Sequence, residues 1–395
     1  MLRAVVLFLA LIVVIPASAA TIHVARDGSG EFTTIQAAVD AAASGDTIMI
    51  GPGRYNEGAI VTCPGWTEFV RVLVRQDELT LIGAGPDQSI IGPTTPWTLS
   101  QGWNVGIQTG PYWGSRHVLI LGLGFENMAF AVRSADASEA TTIRNCRFYM
   151  NAYGLMFYNG GALDVSDCTF DFMPRNYRHL TALGMQSVRV SNCQFNLAAE
   201  NIWRQKAVHV EATSAADFSG CAFEGGDSGM ALVGVGLTRI DNCVFNDQTS
   251  TDGQNPMGVE VVGGTVIMSN CIFDAQTNAI FASESPDIEI TNTRILSTSE
   301  TSLNFETFSS LKVHDCVLAH GPRYTVWQEF PCDSKVAAVS LPHLDMINND
   351  WGTSNADSIA AWIRTCEYVV DYVPFMGQPV PMESTSWGNL KAQYR

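Results

Sequence analysis

Between residues 175 and 211 the chain gathers side chains that can hold and transform an anionic substrate. Arg175, Tyr177, Arg178 and His179 sit in one short segment, and Glu200, Trp203, Arg204 and Lys206 in the next. Gln186, His209 and Glu211 follow directly. Five of the 22 basic residues lie between Arg175 and Lys206, less than a tenth of the chain, and Lys206 is one of only four lysines. Arginine pairs with carboxylate in a two-point fork, and Tyr or Trp offers a flat ring to a sugar face. Within such a cleft Lys206 or His209 can take a proton while Glu211 assists. That is the chemistry of binding an acidic polysaccharide and cleaving it by β-elimination or hydrolysis. The bland alternative is a solvated corner whose charges balance an acidic surface. The segment Asp247 to Pro256 carries two aspartates, enough for a weak Ca²⁺ at most. No H-x-H or H-E-x-x-H spacing occurs, so neither a metal site nor another tightly bound cofactor is expected. His23, His117, His314 and His343 read as ordinary surface or packed residues.

The balance of the chain fits an extracellular setting. Its formal net charge of −17, from 22 basic and 39 acidic residues, disfavours nucleic acid and anionic lipid as partners. A hydrophobic fraction of 46% supports a large core and argues against disorder. Arg3, the apolar run Ala4 to Ile15, Pro16 and Ala17-Ser18-Ala19 form a signal-peptide pattern over residues 1–19. No later apolar run is long enough for a transmembrane segment. The expected location is secreted, extracellular or periplasmic.

The elements that position these residues come from a repeat, apolar-x-(Asn/Asp/Gly)-Cys-x-Phe. Copies run Ile143 to Phe148, Val165 to Phe170, Val190 to Phe195, Phe218 to Phe223, Ile240 to Phe245 and Met268 to Phe273. Variants follow at Ile290 to Ile295 and Val313 to Leu318, and a weaker copy precedes them at Ile120 to Phe125. The third positions, 122, 145, 167, 192, 220, 242, 270, 292 and 315, are spaced by 22 to 28 residues. Asn, Asp and Gly tolerate positive φ, so each copy marks a left-handed corner between two short strands. A third alternating strand precedes each copy, as in Val208-His209-Val210-Glu211. Three strands per turn predict an all-β, right-handed parallel β-helix solenoid, its coils stacked about 4.8 Å apart. Equivalent side chains then form columns. Cys146, Cys168, Cys193, Cys221, Cys243, Cys271 and Cys316 share one slot. Coil spacing exceeds the usual disulfide Cβ distance of about 3.8 Å, so they read as buried free thiols. Cys63, Cys332 and Cys366 lie outside the column, and a Cys332–Cys366 disulfide is one option.

Alternation also defines the outward face. One column reads Met156, Gly184, His209, Ala231, Glu260, Phe281 and Asn304. Its neighbour reads Tyr158, Gln186, Glu211, Val233, Val262, Ser283 and Glu306. Gln186 and Glu260 therefore join Arg175, Tyr177, Arg178, Trp203 and Arg204 as expected substrate contacts. At the ends, Thr33-Thr34-Ile35-Gln36 is a capping-box pattern opening a helix with Ile35, Val39 and Ala42 on its apolar stripe. Ala356 to Arg364 reads as a second helix with Ile359 and Ile363 on one face. The expected organisation is a signal peptide at 1–19, a β-helix with N-terminal cap at 20–346, a C-terminal cap at 347–376 and a tail at 377–395.

Val24-Ala25-Arg26-Asp27-Gly28-Ser29-Gly30-Glu31-Phe32-Thr33-Thr34-Ile35-Gln36, then Gly51-Pro52-Gly53-Arg54-Tyr55 and Leu79-Thr80-Leu81-Ile82-Gly83-Ala84-Gly85, resembles the opening of pectin methylesterases and related pectin-lyase-like proteins. Asn348-Asn349-Asp350-Trp351-Gly352-Thr353 through Val370 to Phe375 resembles the terminal region of bacterial right-handed β-helix repeat proteins. The resemblance implies activity on the outward face of the first strand of each coil. It does not carry catalytic residues over: the Asp, Arg and Gln sets of those enzymes find no match, and neither outward column holds an aspartate. Thr385 to Arg395 looks like a short terminal tag of exported bacterial proteins, implying surface attachment through the tail. Two functions remain open: a polysaccharide-binding protein, lyase or hydrolase, and a non-catalytic surface or matrix rod.

Overall fold

The structure is a computed structural model. It describes residues 19–376 except 64–65, 110–116, 136–139, 173–176, 198–204, 249–255, 275, 307–308, 319, 321, 329–342, 366–368 and 374. The signal-peptide pattern, the tail, Cys332 and Cys366 lie outside the described residues, as does the Cys63 side chain. The described chain is a right-handed parallel β-helix of about 12 turns. Its strands form three sheets of 14, 11 and 13 strands among the described residues. They are called the first, second and third sheet here, in the order each coil visits them. All pairings are parallel except the hairpin Ala59–Cys63 with Trp66–Leu73 at the start of the third sheet. No helix among the described residues is long and apolar enough to cross a membrane.

Every motif corner adopts the left-handed conformation. Gly122, Asn145, Asp167, Asn192, Gly220, Asn242, Asn270, Asn292 and Asp315 have φ between 49° and 65°. The other two corners use the same device in many of the coils, though not at Leu197 or Leu296. Between the second and third sheets it falls on Asn127, Met150, Phe172, Gly225 and Asp247, and between the third and first on Asn159, Gly184, Ala212, Gly234, Gly263 and Glu284. A left-handed residue costs roughly 1–2 kcal/mol for most side chains, so packing must hold Met150, Phe172 and Ala212 there.

The core is built in columns. Phe125, Phe148, Phe170, Phe195, Phe223, Phe245 and Phe273 stack with ring centroids 4.5–5.1 Å apart and planes within 6° of parallel. That spacing matches the separation of hydrogen-bonded strands, about 4.7–4.9 Å, so the backbone register sets the ring stack. The seven column cysteines are buried free thiols, as the repeat predicts. Size is only part of the reason for cysteine. The thiols of Cys168, Cys193 and Cys271 each donate to the carbonyl two residues back, at 3.2 Å. Thr293 makes the same bond from its hydroxyl at 3.1 Å, which explains why it replaces cysteine. Burial pushes the Cys316 thiol up to about 11.

The column ends on Asn349, whose Oδ1 accepts from the Cys316 N–H at 2.9 Å. Asn348 is left-handed and Trp351 is 1% exposed. Met346-Ile347-Asn348-Asn349-Asp350-Trp351 is thus one more copy of the repeat, not a separate cap motif. Other expectations need correction. Thr34 does cap the helix Ile35–Ala41, but its side chain makes no capping bond. Gln36 turns instead to Leu73, accepting from its N–H at 2.7 Å. The second helix spans only Ala356–Ala361, and Ile363 belongs to a strand paired with Val326. Asn355 caps that helix, accepting from the Asp357 N–H at 2.9 Å.

Two outcomes test this account. Asn242→Gly should keep stability within about 1 kcal/mol, whereas Asn242→Val should lower the urea midpoint by the equivalent of roughly 2 kcal/mol or more; equal midpoints would contradict a required left-handed corner. Alkylation with iodoacetamide at mildly alkaline pH, mapped by peptide mass, should spare the seven column cysteines in native protein and label them after denaturation.

Candidate functional site

The outward face of the third sheet carries the candidate residues, and strand register fixes their neighbours. Phe130, Tyr153, Arg178, Lys206, Ser228 and Met257 form one column. The next runs Gln108, Arg133, Met156, Thr181, His209, Ala231, Glu260, Phe281, Asn304 and Trp327. A third begins Tyr158, Leu183, Glu211, Val233 and Val262. Lys206, His209, Glu211 and Glu260 thus share the face expected of them, and Arg178 joins them. Gln186 does not. The strand Arg178–Leu183 starts earlier than the alternation implied, so Thr181 and Leu183 take the places assigned to Gly184 and Gln186. Gly184 makes the corner at φ 65°, and Gln186 lies exposed beyond it. His179 points into the core, 5.7 Å from the ring of Phe170, and burial pulls it down to about 3. Arg175, Trp203 and Arg204 lie outside the described residues.

The charged groups divide into paired and unpaired. Lys206 Nζ donates to Glu260, reaching past one coil whose face holds the uncharged Ser228, Ala231 and Val233. His209 Nε2 lies 3.1 Å from Glu211 Oε2. The His209 side chain is 8% exposed and that of Glu211 49%. Burial pulls the imidazole below its ordinary 6.5, the nearby Arg178 charge adds to this, and the Glu211 bond opposes it. At neutral pH His209 is uncharged, with Nε2–H donating to Glu211. Its Nδ1 is then a bare acceptor, buried and without a partner. Arg178 is half-buried, adjoins Lys206 in register, and makes no ion pair among the described residues. Of the three candidates for proton transfer, Glu211 is the most open to solvent; Lys206 is occupied by Glu260 and the free nitrogen of His209 is buried.

Toward the N-terminus the face becomes aromatic. Tyr177 meets Tyr153 edge-on at 5.3 Å and Trp97 at 5.6 Å. Trp103, 43% exposed, stacks on Trp97 at 5.4 Å and meets Phe130 at 5.3 Å. Beside them Arg133 forks onto Glu68, donates to Gln108 at 2.8 Å and lies 4.9 Å over the Phe130 ring. Desolvation raises Tyr158 above its ordinary 10, with Arg133 and Arg178 acting against it. Tyr177 is legible in the sequence, whereas this extension is not. Phe130 and Tyr153 occupy the coil position of Arg178, a signal that one more column would have exposed. Trp97 and Trp103 arrive from an irregular loop and leave no periodic trace.

The family description "Right handed beta helix region" matches residues 206–327, about a third of the chain. No curated protein matches the sequence. Among solved structures, the catalytic unit of a thermostable GH87 α-1,3-glucanase from Streptomyces thermodiastaticus strain HF3-3 is similar, with a TM-score of 0.53 and 14% identity. That match covers 93% of this chain and 70% of that one. The Agl-KA catalytic domain gives a TM-score of 0.45 at 15% identity, covering 91% and 68%. Pectate lyase Pel9A gives 0.40 at 10%, covering 93% and 82%. At these identities the likeness is one of fold.

The electrostatic account predicts how His209 titrates. Its folded pKa lies below the unfolded value, so its stabilising contribution is present above about pH 6.5 and fades as pH falls toward the folded pKa. In imidazole NMR spectra, Arg178→Gln should raise the His209 pKa toward 6.5 and Glu211→Gln should lower it further. Identical titrations in all three proteins would contradict the arrangement.

Proposed function

We propose that the outward face of the third sheet binds an acidic polysaccharide, with Arg178 receiving a carboxylate of the sugar chain. The observation that carries this reading is a half-buried guanidinium, without an ion pair among the described residues, beside a Lys206 whose own charge is already answered by Glu260. A guanidinium forks onto a carboxylate, whereas a neutral glycan offers it only hydroxyls. Tyr177 and Tyr153 flank it with half-buried rings, suited to the flat side of a sugar. The pairing of Lys206 with Glu260 and the burial of His209 Nδ1 favour retention of the polymer over its cleavage. The protein meets this polymer outside the cytoplasm, exported by residues 1–19 and held at the surface by its tail.

The test is a panel of acidic and neutral polysaccharides offered to the mature protein. Binding and the ultraviolet absorbance of unsaturated products are followed together, with and without Ca²⁺. Acidic polymers should bind without new absorbance or new reducing ends, and Arg178→Gln should weaken them about 10-fold or more, the loss of one charge-assisted bond. New absorbance abolished by His209→Ala or Lys206→Ala would instead make the face that of a lyase. No binding to any polymer would favour a structural rod.

A further inference from the structure

A buried guanidinium without an ion pair among the described residues sits far from Arg178. Arg71 lies on the strand Trp66–Leu73, four strands along the third sheet from Arg178. It is 5% exposed, yet makes no ion pair among the described residues. Its Nε and Nη2 both donate to Asn56 Oδ1, at 3.0 and 2.9 Å, and its guanidinium lies 5.2 Å over the Phe69 ring. Nη1 is buried and has no partner. A neutral amide and a ring face supply no net counter-charge, and buried charges are normally paired. Burial alone pulls the group down to about 10 from 12.5.

Arg71 forms part of the wall of a pocket of about 340 Å³ between the capping helix and the opening hairpin. Ile35, Ile60, Val61 and Val72 give the pocket apolar walls, and Gln36 stands at its rim. The two carboxylates that border it are committed elsewhere: Glu57 pairs with Arg26, and Asp40 accepts from Gln36 at 2.8 Å. Neither reaches Arg71. The volume falls in the usual range for small-molecule sites, roughly 300–1,000 Å³. Walls part apolar and part polar, with Arg75 also on the lining and Arg71 lacking a counter-charge among the described residues, select an anion with an organic body.

We infer that this pocket binds a small carboxylate, whose charge answers Arg71 and whose body lies against Ile35, Ile60, Val61 and Val72. The carboxylate can belong to an aliphatic or aromatic acid or to a free uronic acid, and the body distinguishes them. This site is independent of the polysaccharide face. The experiment is calorimetric titration and thermal shift of the mature protein with hexanoate, benzoate and glucuronate, beside the methyl ester of each. At least one acid should bind saturably and raise the melting temperature, and its ester should bind at least about 10-fold more weakly. Hexanoate or benzoate assigns the apolar source, glucuronate the uronic acid. Arg71→Met should weaken that acid about 10-fold or more. Val61→Trp, which fills the pocket and leaves the guanidinium in place, should do the same. Arg178→Gln should leave this binding unchanged while weakening polysaccharide, which separates the two sites. Failure of all three acids, esters binding as well as acids, or full binding by both pocket variants would overturn the proposal.

Discussion

A backbone that turns left-handed at the motif corner of nine successive coils is the constraint on which this molecule rests. Once the corners are fixed, each strand hydrogen-bonds in register with the strands above and below, and identical positions stack at strand spacing. The phenylalanine stack, the thiol column and the outward columns are three readings of that single register. The thiol slot adds a local bond: its side chain satisfies the carbonyl at the start of the turn, which serine-like chemistry in Thr293 also achieves. Sulfur is used here as a compact donor that tolerates complete burial.

The legibility of the chain follows from how each corner is populated. The first corner announces itself because only Asn, Asp or Gly occupies it. The other two include Met150, Phe172, Ala212 and Glu284, residues whose own preferences oppose the conformation they adopt. Tertiary packing overrules propensity there, so those corners leave no pattern to read. The last coil was readable, since Asn348, Asn349 and Trp351 repeat the motif, but it stands 33 residues from Asp315 and falls outside the period of its fellows. The candidate face shows the same division. His209, Glu211 and Glu260 follow from alternation alone. Gln186 was misplaced because alternation cannot say where a strand begins. The Arg133–Glu68 fork joins residues 65 apart and is invisible without the sheet that unites them.

Charge is distributed by the same geometry. Stacking like positions in adjacent coils places Arg178 beside Lys206, a repulsive arrangement that only one of the two relieves through a carboxylate. Arg133 shows the alternative, a guanidinium satisfied on every side by Glu68, Gln108 and an aromatic ring. Arg71 and Arg178 stand out against that example. An acidic protein with 39 Asp and Glu residues has left both of these half-buried or buried guanidinium groups without a carboxylate among the described residues.

The reach of Lys206 past a whole coil to Glu260 bears on how this chain can change length. A solenoid ordinarily gains or loses complete turns with little disturbance, because any coil can rest on any other. Between Lys206 and Glu260 that freedom is not symmetric. Excising the turn that carries Ser228 and Ala231 would leave the core columns unbroken and keep lysine and glutamate within reach on adjacent coils, whereas duplicating it would part them. At this place the rod can lose a turn and keep its lysine answered, but a turn gained here strands a half-buried ammonium, so the pair weighs against growth and not against shortening.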